Sequence, residues 1–167
     1  MSTIALAGRG GKIARAAFGL RGGLLQQKPR VLAAFPTIAL DALEKILGEH
    51  VELVPVTSMQ PALHALERDP ALALVLCGVH FDSSRMYDLL RYVRQRFPAL
   101  PFVCCRVFSA ELPQISREAI ALAAQTLGAS AFADLPALGE QFGPPEGEKR
   151  FRTLVLGQLP LRAVARS

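Results

Sequence analysis

Residues 72–96, LALVLCGVHFDSSRMYDLLRYVRQR, decide the fold of this chain. The run LALVLCG is short and apolar, as is typical of a buried strand, and the polar loop VHFDSSR follows it. Five apolar side chains then recur at the spacing of an amphipathic helix: Met86, Leu89, Leu90, Val93 and Phe97. The stretch therefore predicts a strand, a short loop and a helix that packs against the strand.

The same alternation of strand and helix extends over most of the chain. The apolar runs predict strands at 31–35, 51–56, 72–77, 101–105 and 131–133. Apolar side chains at helical spacing predict helices at 37–47, after Ser58, at 86–97, at 115–127 and at 148–159. Nearly continuous apolar strands that alternate with helices imply a parallel sheet covered on both faces. We therefore predict an α/β fold: a doubly wound five-stranded parallel sheet with helices on both faces, a flavodoxin-like three-layer sandwich.

Local signals mark several helix ends. Thr37 and Ser58 are residue types that cap helix N-termini, and Gly48 follows the first helix as a stop. The tract GPPEGE at 143–148 is rich in residues that disfavour helix, and we predict a loop there before the last helix.

The net charge of +5 is unevenly distributed along the 167 residues. Residues 1–30 contain six basic groups and no acid, whereas residues 31–160 contain 11 basic and 14 acidic groups. We predict a basic, flexible N-terminal arm at 1–29, a folded domain at 30–160 and a short C-terminal tail at 161–167. The charge disfavours nucleic-acid binding by the folded body, so nucleic acid is expected only through the arm. The alternatives for the arm are a lipid-contacting tail, a targeting peptide or an over-extended start.

Composition also bears on the compartment. No apolar run reaches the 18 or so residues that a membrane-spanning helix needs. Cys77, Cys104 and Cys105 have no regular spacing, so no disulfide framework is expected and the cytoplasm is the expected compartment. These cysteines fall on neighbouring predicted strands, where they form either a close thiol pair, a soft-metal site with His80, or ordinary core. We expect no cofactor and no metal.

Residues 30–160 resemble the receiver domains of bacterial response regulators. The strand, loop and helix at 72–96 have the length of the phosphoacceptor region of that family. RVLAAFPT (30–37) and LPFVCCR (100–106) stand at its first and fourth strands, and GASAFADLP (128–136) matches its fifth strand and Lys-Pro ending. The segment between Arg106 and Gly128 is longer than in the family.

The positions that carry the chemistry of the family are all altered. Gly78 stands at the phosphoacceptor aspartate, Phe35 and Pro36 at the acidic pair, Arg106 at the switch Ser/Thr, and Leu135 at the lysine. Receiver phosphorylation needs a carboxylate nucleophile and carboxylates that hold Mg²⁺. The resemblance thus implies a pseudo-receiver, not an enzyme, which acts in signal transduction through protein contact. It also implies a protein partner or a homodimer that associates through the fourth and fifth helices, which are predicted at 115–127 and 148–159.

A polar cluster is predicted at the carboxyl ends of the third and fourth strands, where open α/β sheets bind ligands. Its members are His80, Asp82, Ser83, Ser84, Arg85 and Arg106. One hypothesis is an anion pocket in which the two arginines bind phosphate or carboxylate. The other is that Asp82 or a serine caps the third helix and Arg85 is solvated. The anion pocket supports an alternative function, a small-molecule sensor or minor enzyme around His80, Arg85 and Arg106.

Overall fold

The computed structural model describes residues 27–108 and 114–161. The strands are β1 (Arg30–Ala34), β2 (Glu52–Val56), β3 (Leu72–Gly78), β4 (Phe102–Arg106) and β5 (Ala131–Asp134). The helices are α1 (Thr37–Leu47), α2 (Met59–Arg68), α3 (Met86–Arg96), α4 (Gln114–Thr126), α5 (Leu135–Phe142) and α6 (Pro144–Leu156). The strands pair in parallel in the order β2-β1-β3-β4-β5, which confirms the predicted doubly wound sheet.

Helices cover both faces of the sheet because the strands are apolar on both faces. One face packs Leu32, Val75 and Phe102 against buried residues of α2, α3 and α4. The other packs Leu76 and Val103 against buried residues of α1 and α6. The result is the predicted three-layer arrangement, with the central strands β1, β3 and β4 buried from both sides. The carboxyl ends of these strands are thereby held side by side.

Two helix starts differ from the sequence expectation. Thr37 is the first residue of α1 rather than its cap, and Pro36 holds the cap position without a side-chain hydrogen bond. Ser58 does precede α2, but its hydroxyl makes no capping bond. The first backbone N–H of α2, that of Met59, instead donates to the Asp82 carboxylate at 2.8 Å. A carboxylate that lies 23 residues further along the chain therefore performs the capping.

The predicted loop at 143–148 is wrong beyond Gly143. Helix α6 begins at Pro144, because proline is well tolerated in the first turn, where its missing N–H has no helical partner. Gly143, with φ of 84°, links α6 to α5, a helix that the sequence analysis did not predict. The two helices form a tight hairpin that follows the edge strand β5.

The α5–α6 hairpin closes at two glycines. A Cβ atom on Gly147 would stand 2.7 Å from the backbone nitrogen of Gly139 and 2.8 Å from its Cα. Both are shorter than van der Waals contact, and the opposing atoms are backbone that cannot rotate away. Gly147 therefore permits the close approach of the helices. No helix in the described ranges is long and apolar enough to cross a membrane.

Gly147→Ala is expected to destabilise the protein by about 1–3 kcal/mol, because the new methyl group meets the backbone of α5. Gly139→Ala is the matched control, since a Cβ there has its nearest neighbour at 4.0 Å. That variant should be neutral or more stable by up to ~1 kcal/mol, because alanine favours helix. Urea denaturation of the three proteins measures both effects. Equal stability of the two variants would contradict the tight crossing.

Candidate functional site

The carboxyl ends of three central strands meet at one edge of the sheet. Ala34 of β1 pairs with Cys77 of β3, and Gly78 of β3 pairs with Cys105 of β4. The residues that continue these strands therefore lie together, at the edge where open α/β sheets bind their ligands. This strand-end edge includes the site that the sequence resemblance assigns to phosphorylation.

At this edge an aromatic ring takes the place of a side chain on β3. A Cβ atom on Gly78 would stand 2.7 Å from Cδ1 and 2.9 Å from Cε1 of Phe35. Phe35 is 1% exposed, so its ring belongs to the core. A cavity of about 20 Å³ remains between Phe35, Gly78, His80 and Phe108, about enough for a single water. We call this space the remnant cavity.

The loop after β3 has an unusual backbone. Asp82, Ser83 and Ser84 have φ values of 41°, 56° and 70°, so three consecutive residues with side chains are left-handed. This conformation costs about 1–2 kcal/mol per residue. It is held by the Arg85 N–H, which donates to the carbonyl of Phe81 at 2.8 Å, and by the bond from Met59 to Asp82. The Asp82 carboxylate therefore ties the loop to the start of α2.

The position of Asp82 corrects the capping hypothesis. Arg85 occupies the cap position of α3, and that helix start has no side-chain cap. Arg85 is half exposed and its Nη1 and Nε atoms lie 3.7 Å from Asp82 and 3.4 Å from Asp88. Ion pairs at these distances and exposures contribute little to stability. Arg85 is thus a loosely held cation at the surface.

Arg106 has a different environment from the rest of the predicted cluster. Its side chain is 3% exposed, and its Nε and Nη2 atoms lie 2.9 Å and 2.8 Å from Oδ1 of Asp134. The same Oδ1 accepts a hydrogen bond at 3.1 Å from the backbone of Ala137 in the first turn of α5. One carboxylate therefore joins β4, β5 and the α5–α6 hairpin.

The structure divides the predicted cluster into four parts. Asp82 and Arg85 are neighbours in the left-handed loop. His80 and Ser84 line a cavity of about 250 Å³ with Tyr87, and neither arginine is among the residues that line it. Arg106 is held by Asp134 at the start of α5. Ser83 is exposed at the tip of the loop. Whether any of these residues binds a ligand stays a prediction.

The three cysteines are buried in the sheet. Cys77 pairs with Cys104 in the register of β3 and β4. Burial raises the pKa of Cys104 to about 12, and it raises the pKa of Cys77 and Cys105 well above the ordinary thiol value. Thiols that stay protonated are poor nucleophiles and poor metal ligands. Within the described ranges, no three His, Cys, Asp or Glu side chains are grouped to hold a metal ion.

Solved structures of receiver domains are similar to this chain. The receiver domain of NtrX from Brucella abortus is 23% identical with a TM-score of 0.57, over 83% of this chain and 99% of that one. The N-terminal receiver domain of a two-component response regulator from Bacteroides fragilis is 16% identical with a TM-score of 0.59, over 85% and 98%. A CheY-like receiver domain from Methanospirillum hungatei is 15% identical with a TM-score of 0.54, over 80% and 97%.

No protein-family model and no curated protein sequence matches the chain. The structural likeness covers nearly the whole of each neighbour at low sequence identity, so it establishes the fold. The chain has the receiver-type, flavodoxin-like α/β fold.

Sequence reasoning missed three features of the strand-end edge. The resemblance places Phe35 at an acidic position of the receiver pattern. The packing of its ring against Gly78 follows only from the register of β1 and β3. The partner of Arg106, Asp134, could have been inferred, because the two residues are opposite each other on adjacent strands. The helix α5 had a weak signal in Asp134 followed by Pro136, a cap residue and a first-turn proline.

Gly78→Ala is expected to destabilise the protein by about 1–3 kcal/mol, because its methyl group overlaps the Phe35 ring. Phe35→Ala alone should cost roughly 3–5 kcal/mol through the loss of core packing. In the Phe35→Ala background the ring is gone, so Gly78→Ala should cost little or even stabilise the strand. Urea denaturation of the four proteins gives the coupling energy. An equal cost of Gly78→Ala in both backgrounds would show that the ring is not the obstacle.

Proposed function

We propose that this chain is a pseudo-receiver, a non-catalytic signalling domain that acts through protein contact and without aspartyl phosphorylation. The receiver-type fold supports the signalling assignment. The observation that carries the proposal is the packing of the Phe35 ring 2.7 Å from the point where a side chain on Gly78 would begin. The position of the phosphoacceptor is both without a nucleophile and without room for one.

The metal requirement supports the same proposal. Transfer of a phosphoryl group to a carboxylate needs Mg²⁺, which takes oxygen ligands in a near-octahedral shell. The ends of β1 and β3 present Phe35, Pro36 and Gly78, whose side chains offer no oxygen. The remnant cavity, at about 20 Å³, is also far smaller than a hydrated ion and a phosphoryl group together.

The charge pair of Arg106 and Asp134 supports independence from phosphorylation. By the sequence resemblance, Arg106 stands at the position where receiver domains have a switch Ser or Thr. The hydroxyl of that residue responds to the new phosphoryl charge. Here a buried cation at that position already has a carboxylate partner within 2.9 Å. Removal of one partner from a buried pair costs about 3–5 kcal/mol. The pair therefore favours one fixed arrangement of β4, β5 and α5.

A surface on α4 supports function through protein contact. Ile115 and Leu122 are 80% and 66% exposed and lie two helical turns apart on α4. Large apolar side chains repeated along one exposed helix face are typical of interaction surfaces. We propose that the chain forms a homodimer through α4 and the neighbouring α5–α6 hairpin.

A second candidate function is small-molecule sensing at the loop after β3. His80 and Ser84 share a cavity of about 250 Å³, and these polar groups face apolar walls from Val79, Met86 and Ile120. Arg85 does not line this cavity, but as the weakly held cation of the same loop it would supply charge for an anionic ligand that extends beyond the cavity.

The full chain is expected to stay unmodified when it is incubated with Mg²⁺ and a small-molecule acyl phosphate donor, because position 78 offers no carboxylate. Intact-mass spectrometry measures the addition of a phosphoryl group. A receiver domain that retains its aspartate, treated in parallel, is the reagent control. A phosphoryl adduct on this chain that hydroxylamine removes would be an acyl phosphate and would refute the proposal.

The double variant Ile115→Ser/Leu122→Ser is expected to shift the chain from dimer to monomer, because it removes the apolar contact of α4. Ile38→Ser is the matched control, since Ile38 is 72% exposed but lies on α1. Size-exclusion chromatography with light scattering at a series of concentrations measures the molecular mass. A wild-type protein that is monomeric at the highest concentration, or a dimer that survives in the double variant, would contradict this surface.

A further inference from the structure

A third cavity lies at the strand-end edge, between the end of β4 and the α5–α6 hairpin. Its volume is about 510 Å³. Val107 and Phe108 follow β4 and form one wall, while Leu135, Pro136 and Pro144 form the others at the starts of α5 and α6. The volume and the apolar walls of this cavity are similar to those of sites that bind small molecules. We call this space the hairpin cavity.

Among the described residues that line the hairpin cavity, the charged side chains are both acidic. Glu140 comes from α5 and Glu148 from α6, so each helix of the hairpin contributes one carboxylate. Nη1 of Arg117 lies 3.9 Å from Oε2 of Glu140, which is a long distance for an ion pair. The Glu140 side chain is 68% exposed. Among the described residues that line the cavity, none is basic. The charge of the cavity is thus negative.

We propose that the hairpin cavity binds a small organic cation with an apolar body, such as an aromatic amine or amidinium. The positive head group would lie between Glu140 and Glu148, since charge-assisted hydrogen bonds to carboxylates are among the stronger polar contacts. The apolar body would pack against Phe108 and Leu135. An anion is disfavoured by the two carboxylates, and a neutral apolar molecule would gain nothing from their charge.

The location of the cavity gives ligand binding a route to the strand-end edge. Val107 and Phe108 line the hairpin cavity and also the remnant cavity beside Phe35 and Gly78. A ligand that packs against Phe108 therefore contacts the same wall that closes the former phosphoacceptor position. The proposal is independent of the proposed function, because it requires neither dimerisation nor the absence of phosphorylation.

The test is a titration of the isotope-labelled full chain with benzamidine, followed by amide chemical shifts. Benzamidine is a planar aromatic cation, and benzamide is its neutral counterpart of nearly the same shape. We expect saturable binding of benzamidine at about millimolar concentration. The shifted amides should include those of Phe108, Gly139 and Glu148. Benzamide should bind about tenfold more weakly, since it lacks the charge.

Glu140→Gln/Glu148→Gln is the decisive variant, because it keeps the shape of both side chains and removes their charge. It should weaken benzamidine binding about tenfold or more, to the level of benzamide. Glu49→Gln, at an exposed site in the turn after α1, is the matched control and should bind like the wild type. Equal affinity of benzamidine for the wild type and the double variant would overturn the proposal. So would the absence of saturation, or shifts confined to the residues around Tyr87.

Discussion

The structure of the strand-end edge depends on the contact between the Phe35 ring and the Cα of Gly78. β1 and β3 are adjacent central strands, so whatever follows β1 lies directly beside the end of β3. An aromatic ring at that point extends the apolar core to the rim of the sheet, and a residue without a side chain on β3 is the complement that lets it pack. Phe35 and Gly78 are therefore one packing solution. Each would be unfavourable without the other.

The polar groups near this rim hold structural elements together. The Asp82 carboxylate accepts from the first N–H of α2, and the Asp134 carboxylate joins Arg106 to the first turn of α5. In both cases a carboxylate at a strand end serves a helix start, where unpaired N–H groups need an acceptor. Asp82 and Asp134 at the strand-end edge thus have partners within the fold. Glu140 and Glu148 differ because they line an open cavity, where Glu140 has a long ion pair with Arg117 at 3.9 Å.

The sequence predicted those elements whose signal is local. The five strands and α1, α2 and α3 follow from apolar periodicity, and the parallel order follows from the alternation of strand and helix. Helix α5 has only eight residues, including a proline and a glycine, so its periodicity is too short to detect. The sequence predicts a loop at the start of α6, because prolines and glycines usually break helices, yet here the prolines occupy the first turn. Local sequence patterns do not predict the close approach of Gly147 to the backbone of α5, because that contact joins two different helices.

The candidate site was harder to predict than the fold, because its geometry depends on contacts between distant residues. The cluster from His80 to Arg106 was correctly placed at strand ends, but the side chains turn toward separate partners. The left-handed loop at Asp82 has a further consequence for motion. Its backbone is under strain, and the bond that relieves the first N–H of α2 also fixes the loop. Rupture of that bond would remove one of the two restraints on the loop and leave the first N–H of α2 without its acceptor. We therefore expect the loop and the first turn of α2 to open together.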